Sequence, residues 1–260
     1  MKQKLRIIHR YFIMIGINLL DTKNFFLNFF WYLKCLSKFK NDKELFELDF
    51  WPIFGENKIS AGSIKSHYFI QDLFVSQLIF ENSPKNILDI GSRIDGFVAH
   101  VSTFREIDVL DIRPLEGKIK NINFKKHDLM NEISSLEKKY ECVTCLHALE
   151  HFGLGRYGDP IDPNGHLKGI KNIHKILSKN GTCYLSFPLG RNRVEFNAHR
   201  VFSIKYIKPI LESFFTIESF SYISDDGSLF ENVNIENGKE TNFNCNYGCS
   251  IFELKKKSLS

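Results

Sequence analysis

Three acidic residues stand at or just after the ends of three short apolar runs, where they could hold a nucleoside. Asp89 lies in the run NILDI, Asp111 lies 22 residues later in the run IDVLDI, and Asp128 follows the run NINFK. If these runs are neighbouring parallel strands, their carboxyl ends meet at the edge of the sheet where ligands bind. An acid about 20 residues after the first strand can accept hydrogen bonds from a ribose diol, and the third acid could meet an adenine amino group. Each acid alone could instead cap a helix.

The turn after the first run, from Gly91 to Gly96, discriminates between nucleoside cofactors. Gly91 lets the chain turn sharply, and Gly96 lets the next helix begin close to a ligand. Arg93 stands where a dinucleotide-binding turn has its second glycine, so a pyrophosphate lying on a bare helix N-terminus is disfavoured. S-adenosylmethionine has no phosphate, and the turn therefore favours it over NAD. Asp89 is placed either to order this turn or to meet the ammonium group of the methionine part.

Three histidines follow the later apolar runs and could act on a proton. His147 and His151 lie four residues apart after the run ECVTCL, with Glu150 beside the second, and His199 follows the run TCYLSF. A histidine near its usual pKa can deprotonate a hydroxyl acceptor, so we predict His151 and His199, with Asp159, as catalytic residues. Cofactor contact or fixing of the loop is the other role open to His151. We predict no metal site, although His147, His151 and Asp159 have side chains that could ligate a divalent ion.

The loop Gly153–Gly165, rich in glycine and proline, is predicted to lie above the sheet and to bind the acceptor. Carboxylates and an aromatic face suit the hydroxyl groups of a sugar, which favours a sugar-like substrate. A purely structural loop is the alternative interpretation. The predicted substrate-binding residues are Glu150, Arg156, Tyr157 and Asp162, together with Arg191 in the polar loop after Pro188.

Apolar runs and amphipathic segments alternate along the chain, which implies right-handed crossovers and a parallel sheet. We predict an α/β, Rossmann-like fold with a mostly parallel seven-stranded sheet and helices on both faces. The predicted strands are Asn86–Ile90, Ile107–Ile112, Asn121–Lys125, Glu141–Leu146, Thr182–Phe187, Phe214–Ser221 and Tyr247–Leu254. The predicted helices lie at about 68–81, from Phe97, and at Glu132–Lys139, His166–Leu177 and Ser203–Ser213. The polar stretch Asp225–Asn246 is predicted to be a surface excursion or a lid.

The N-terminal stretch differs in composition from the rest. We predict a helical extension over residues 1–60 and the cofactor-binding domain over residues 61–260. Residues 1–40 carry eight lysines and arginines against the single acid Asp21, and they include the apolar runs Tyr11–Leu20 and Phe25–Leu33. Each run is about half the length that a spanning helix needs. Helices that pack on the main domain are one interpretation, and a segment resting on an anionic membrane surface is the other.

Charge and cysteine content narrow the classes of function. Because the basic excess of the chain lies in residues 1–40, the main body lacks the broad positive surface that nucleic-acid binding requires. Cys142, Cys145 and Cys183 lie in strand-like runs, where a free cysteine acts as a small apolar residue. Cys245 and Cys249 have no second pair with which to form a zinc site. We therefore predict free thiols and a cytoplasmic protein, with peripheral contact to a membrane as an option, and no nucleic-acid partner.

These segments resemble the motifs of the class I S-adenosylmethionine-dependent methyltransferases over about residues 65–190. Ile87–Gly96 is similar to their first motif, Asp111 to their ribose-binding acid and Asp128-Leu129 to their adenine contact. The resemblance implies the class I methyltransferase fold with S-adenosyl-L-methionine as the cofactor. It implies the cofactor-binding residues Gln71, Asp89, Gly91, Ser92, Arg93, Asp95, Gly96, Asp111, Ile112, Asp128, Leu129 and His147.

Longer segments resemble one bacterial family of unknown function that is similar to methyltransferases and often associated with surface-polysaccharide synthesis. They are DIGSRIDGFVAH (89–100), HALEHFGLGRYGDPIDP (147–163) and FNAHR (196–200). The resemblance implies methyl transfer to a hydroxyl of a sugar, nucleotide sugar or glycan in polysaccharide biosynthesis. Two other functions stay open. One is a catalytically inactive partner in glycan assembly, and the other is a nucleotide-sugar oxidoreductase, which the missing second glycine disfavours.

Overall fold

The apolar runs of the sequence form the strands of one central sheet. The structure, a computed structural model, describes residues 11–16, 18–39, 53, 64, 66–131 and 138–257. The chain separates into two units, Met1–Ser63 and Ile64–Ser260. In the first unit the described residues include the helix α1 (Leu19–Lys38). The strands of the second unit are β1 (Ile87–Ile90), β2 (Ile107–Asp111), β3 (Ile122–Lys126), β4 (Tyr140–Leu146), β5 (Leu177–Leu189), β6 (Arg193–Glu195), β7 (His199–Val201), β8 (Phe215–Ile223), β9 (Leu229–Phe230) and β10 (Gly248–Lys256).

Within the described residues, eight of these strands form one sheet in the order β3-β2-β1-β4-β5-β10-β8-β9, and β6 pairs with β7 separately. Neighbouring strands from β3 to β5 run parallel. β10 lies antiparallel between β5 and β8, and β9 pairs antiparallel with β8. The predicted fold class is confirmed. The added eighth strand, Leu229–Phe230, has only two residues inside a polar stretch, which is too short for alternation to reveal it.

Helices cover both faces of the sheet and bury two apolar layers. The helices of this unit are α2 (His67–Asn82), α3 (Ala99–Ser102), α4 (Gly165–Ile176) and α5 (Ile204–Glu212), and a π-helical turn (Ile94–Val98) precedes α3. On α4 the spacing of Ile170, Ile173 and Ile176 puts three fully buried side chains on one stripe. On the opposite face α2 buries Val75 and Ile79. These two layers hold the strand ends that carry the predicted site residues.

Three sequence predictions of local structure need correction or refinement, or fall outside the description. The helix predicted at His166–Leu177 ends at Ile176, because Leu177 already pairs with Tyr140 as the first residue of β5. The stretch Asp225–Asn246 is largely exposed, as a surface excursion would be, but it also contains the strand β9 and is anchored by Phe243, whose ring stacks on Tyr222 with centroids 4.4 Å apart. Of the predicted helix Glu132–Lys139, residues 132–137 lie outside the described residues.

The predicted membrane-facing stretch, residues 1–40, is described except for residues 1–10, 17 and 40. Large apolar side chains in it are exposed, among them Met14, Phe30 and Trp31. No helix in the described ranges is both long and apolar enough to cross a bilayer. Contact of this stretch with a membrane surface stays a prediction.

Candidate active site

The carboxyl ends of β1, β2 and β4 and the segment after β3 enclose a first cleft of about 540 Å³. The structure brings Asp111 and Asp128 to the wall of one cleft, with Gly91 at its floor, as the strand-end pattern predicts. The lining is completed by Ile90, Leu110, Ile112, Arg113, His127, Leu129, Met130, His147, Ala148, His151, Phe152, Tyr157 and Asp159.

Asp89 lies beneath the turn and not on the cleft wall. Its side chain is fully buried. One carboxylate oxygen accepts hydrogen bonds from the hydroxyls of Ser92 and Thr144, both at 2.7 Å, and the other accepts from the Ser92 amide at 3.0 Å. Burial raises the pKa of Asp89 to about 6, despite these donors. Of the two roles predicted for Asp89, ordering of the turn is the one that its contacts support.

The burial of Asp89 makes stability depend on pH. Because its pKa in the folded state exceeds the ordinary value of 3.8, the stability it contributes is complete below about pH 4 and is lost as the pH rises through about 6. The free energy of unfolding of Asp89→Asn, relative to the unmodified protein, should therefore rise by about 3 kcal/mol between pH 4 and pH 8. Urea unfolding at several pH values measures this slope.

A control for that slope lies in Asp108, where Lys138 and Tyr140 donate to the carboxylate at 2.7 Å. Burial there raises the pKa of Asp108, but these donors outweigh it and the net shift is downward. The stability of Asp108→Asn relative to the unmodified protein should change in the opposite direction and only below about pH 4, so its profile between pH 4 and pH 8 should be nearly flat. A flat profile for Asp89→Asn would contradict the role of the buried carboxyl.

Gly91 and Gly96 leave no room for a side chain at the turn. Gly91 has φ +74°, and a Cβ there would stand 2.9 Å from the Cβ of Ala148. A Cβ on Gly96 would stand 2.8 Å from Oδ2 of Asp72. Arg93 occupies the position of the second glycine of dinucleotide sites, but its side chain does not fill the turn. Its side chain is 70% exposed and pairs with the equally exposed Asp95 at 2.6 Å.

Gly91→Ala should destabilise the protein more than the same change at Gly117. Gly117 also has a positive φ, +88°, but nothing lies within 4 Å of its Cβ position. Gly117→Ala should thus show only the left-handed backbone cost of about 1–2 kcal/mol. Gly91→Ala adds the clash with Ala148, about 1–3 kcal/mol more. Thermal or urea unfolding of both variants measures the difference, and equal losses would show that the contact relaxes freely.

Asp111 is held in a fixed orientation by Arg113, a residue that the sequence interpretation missed. The amide and Nε of Arg113 donate to one carboxylate oxygen at 2.8 and 3.0 Å, and Nη2 donates to the other at 2.5 Å. A carboxylate has about four lone-pair sites, so Asp111 can still accept a ligand hydroxyl. The charge of Asp111 is thereby balanced before any ligand arrives.

Asp128 and Leu129 are fixed by backbone contacts. Asp128 accepts a hydrogen bond from the Met130 amide at 2.9 Å. The carbonyl of Leu129 accepts from Asn172 of α4 at 2.7 Å, and its side chain is buried in the cleft wall. These contacts hold the segment after β3 against the first cleft.

A second cleft of about 1280 Å³ continues from the turn toward α2. Both clefts are lined by Gly91, Asp111, Arg113, His147, His151 and Tyr157. Predicted residues found in the second cleft are Gln71, Ser92, Arg93, Asp95 and Arg156. Tyr68 and Asp72, which the sequence interpretation did not assign, line it as well. Burial raises the pKa of Asp72.

His147 and Glu150 form a buried ion pair between the clefts. His147 has a left-handed backbone (φ 49°), and its Nδ1 lies 2.9 Å from Oε1 of Glu150. Burial by itself lowers the pKa of His147, but the Cys249 sulfur and the Glu150 carboxylate outweigh burial and raise it to about 10. Burial likewise raises the pKa of Glu150, but the His147 contact dominates and lowers it. The second oxygen of Glu150 is buried without a hydrogen-bond partner among the described residues.

His151 has the contacts of a base in a defined tautomer. Its Nδ1 lies 2.7 Å from the carbonyl oxygen of Ala198, which can only accept, so Nδ1 carries the proton and Nε2 is left as the acceptor. Burial lowers the pKa of His151, which keeps the ring neutral near pH 7. Oε1 of Glu150 lies 3.7 Å from Nε2, where it would stabilise the protonated ring.

His199 lies beside His151, with ring centroids 6.5 Å apart, but it is absent from the residues that line the two clefts. Its ring packs on Tyr247 at 5.1 Å, and its Nε2 lies 3.4 Å from a carboxylate oxygen of Glu195. The structure places His199 behind His151, so its contacts support the catalytic role less well.

Two predicted residues, Asp159 and Asp162, have contacts that favour a structural role, and a third, Arg191, lines neither cleft. The carboxylate of Asp159 accepts hydrogen bonds from three backbone amides of its own loop, at 2.8 to 3.2 Å. Asp162 pairs with Lys168 at 2.6 Å, outside both clefts. Arg191 is exposed and is likewise not a cleft residue. The sequence could not show which side chains of these loops bind a ligand and which fix the loop, because that depends on the folded course of the loop.

Arg200, which lies in one of the longer matched segments, was not assigned a role from the sequence. It is buried, and its guanidinium donates to the carbonyls of Phe152 at 2.6 Å and of Glu150 and Pro163 at 3.3 Å. A buried arginine that binds several carbonyls fixes a loop. Arg200 thus holds the loop that carries Arg156 and Tyr157.

The residues present fit the adenosine of S-adenosylmethionine. An apolar slot from Ile90, Leu110, Leu129 and Phe152 suits a base, and Asp111 retains capacity to accept from a ribose. The floor at Gly91 is bare of side chain. Among the described residues, no group of three His, Cys, Asp or Glu side chains is arranged to hold a metal ion.

A family model described as "Caenorhabditis protein of unknown function, DUF268" matches residues 98–247, more than half of the chain. The match includes both segments that carry His151 and His199. The description of this family states no activity. No curated protein matches the sequence.

Solved structures share the fold at low identity. The N-methyltransferase NodS from Bradyrhizobium japonicum WM9, in complex with S-adenosyl-L-homocysteine, matches with a TM-score of 0.53 and 13% identity over 76% of this chain and 90% of its own. An O-methyltransferase from a trans-AT PKS multienzyme of Brevibacillus brevis, with the same ligand, matches at 0.52 and 13% over 73% and 72%. The 1,6-didemethyltoxoflavin-N1-methyltransferase of Burkholderia thailandensis matches at 0.51 and 13% over 73% and 80%. The likeness shows the methyltransferase fold.

Proposed function

The chain belongs to the DUF268 family, and from this family and its fold we propose that it is an S-adenosylmethionine-dependent methyltransferase. Its acceptor in this proposal is a hydroxyl group of a small sugar, a nucleotide sugar or a glycan intermediate. Structural neighbours solved with S-adenosyl-L-homocysteine support the cofactor. The polar, charged and aromatic side chains that line the second cleft support a sugar-like acceptor.

The observation that carries the proposal is the first cleft itself. Asp111 and Asp128 face one hollow from two adjacent strands, above a turn in which Arg93 stands where dinucleotide sites have their second glycine. A dinucleotide needs backbone amides on its pyrophosphate, whereas a nucleoside sulfonium needs a ribose acceptor and room for the base. The first cleft has the latter features.

The cofactor supplies a methyl carbon that is already activated on a sulfonium sulfur. The residues of the chain then have to align the acceptor, exclude water and take one proton. Alignment is a positioning effect that can contribute up to about 7–11 kcal/mol. His151 lines both clefts and presents an unprotonated Nε2, so it is the residue placed to take the proton of the acceptor hydroxyl. The Glu150 carboxylate stabilises the imidazolium that results.

The experiment is a methyl-transfer assay with a panel of sugars, sugar phosphates and nucleotide sugars. Purified protein is incubated with S-adenosylmethionine and each acceptor, and S-adenosyl-L-homocysteine release and methylated product are measured together. We expect both with at least one acceptor of the panel. Tight cofactor binding with no turnover on any acceptor would favour the catalytically inactive partner instead.

A further inference from the structure

Two guanidinium groups lie on the ring of Tyr157, at the boundary between the clefts. The Cζ atoms of Arg113 and Arg156 lie 4.7 and 5.1 Å from the ring centroid. The ring also meets His151 edge-on, with centroids 5.5 Å apart. Because the face of an aromatic ring attracts a guanidinium, Tyr157 holds two positive charges close to the candidate base.

The two guanidinium groups differ in how their charge is balanced. Arg113 forms an ion pair with Asp111 at 2.5 Å, and Arg93 at the rim pairs with Asp95. Among the arginines that line the clefts in the described part of the chain, Arg156 is the one without a carboxylate at ion-pair distance. The second cleft therefore exposes one cation that no carboxylate of the described residues neutralises.

A single backbone oxygen sets the position of this cation relative to the base. The carbonyl of Ala198 accepts from Nη1 of Arg156 at 2.9 Å and also lies 2.7 Å from Nδ1 of His151. Arg156 is exposed, and a guanidinium has five N–H donors in a planar fork. The donors not directed at Ala198 are open to a ligand. That fork matches a carboxylate or a phosphate.

We propose that the acceptor carries an anionic group, a phosphate or a carboxylate, and that Arg156 binds this group and so places the acceptor hydroxyl beside His151. This inference rests on the proposed function, because it takes methyl transfer as the reaction and adds only the charge of the acceptor. The distribution of charge agrees with it, because Arg113 balances Asp111 and the first cleft keeps the carboxylate of Asp128 for a cationic sulfonium cofactor. The free guanidinium lies in the other cleft.

The test is the binding of three probes to the full chain, with and without S-adenosyl-L-homocysteine. The probes are glucose 1-phosphate, glucuronate and uncharged methyl glucoside, titrated by calorimetry or ligand-observed NMR. The variants are Arg156→Gln, Arg156→Lys and the control Lys205→Gln, which lies on α5 in an exposed pair with Glu240. Thermal unfolding checks that each variant is folded.

We expect at least one anionic probe to bind about tenfold or more tightly than methyl glucoside. Arg156→Gln should abolish that preference, Arg156→Lys should retain part of it, and Lys205→Gln should leave it unchanged. The stronger of the two anionic probes identifies phosphate or carboxylate as the group. Equal binding of charged and uncharged probes, or a preference that survives Arg156→Gln, overturns the inference. Failure of S-adenosyl-L-homocysteine to bind contradicts the proposed function instead, and is read independently.

Discussion

Replacement of His151 by alanine is expected to slow methyl transfer by about 100- to 10,000-fold, the usual contribution of a positioned general base, with little change in cofactor affinity. The reason lies in the tautomer. The Ala198 carbonyl holds the proton on Nδ1, so that Nε2 is free to accept one from the substrate. Single-turnover release of S-adenosyl-L-homocysteine with an accepted substrate measures the rate, and calorimetry measures the affinity.

The matched control is His100→Ala, a histidine on α3 that does not line either cleft. It should leave the rate unchanged. Because burial lowers the pKa of His151, the rate of the unmodified protein should rise with pH up to the point where that ring is neutral, below pH 7. If His151→Ala retained the full rate with this rise, another group would be the base.

Replacement of Asp111 by asparagine should weaken S-adenosyl-L-homocysteine binding by about 10- to 100-fold, since a hydrogen bond to a charged group contributes about 1.5–3 kcal/mol. Asparagine retains one acceptor oxygen but loses the charge, and Arg113 is left without its partner. The loss should appear in the dissociation constant measured by calorimetry. It should also appear as a smaller ligand-induced rise in melting temperature.

Asp108→Asn is the control for this effect, because Asp108 lies on the same strand, β2, and binds Lys138 and Tyr140 away from the cleft. It should bind S-adenosyl-L-homocysteine as the unmodified protein does. Unchanged affinity in Asp111→Asn would remove Asp111 from the cofactor site and with it the strand-end interpretation.

The sequence predicted that Asp111 and Asp128 line one cleft because each acid stands at the end of a strand that the local pattern reveals. A strand that ends in an acid, and a neighbouring parallel strand that does the same, must meet at one sheet edge. The fold class followed from the same alternation. The local pattern could not predict the two-residue strand Leu229–Phe230 or the early end of α4. Each of them depends on pairing with a partner strand.

The contacts that define the chemistry of the site were hidden because they join distant parts of the chain. Thr144, 55 residues away, donates a hydrogen bond to Asp89, and this contact supports the role of Asp89 in ordering the turn. The tautomer of His151 depends on the carbonyl of Ala198, 47 residues away, which no side-chain pattern encodes. Arg113 could have been found, because an arginine two residues after Asp111 is within reach of its carboxylate.

The most direct test of the central claim is a titration of the purified chain with S-adenosyl-L-homocysteine and, separately, with NAD. A nucleoside held by Asp111 and Asp128 over a turn that offers no phosphate site should give one-to-one binding of S-adenosyl-L-homocysteine and none of NAD. Binding of NAD alone would contradict the account.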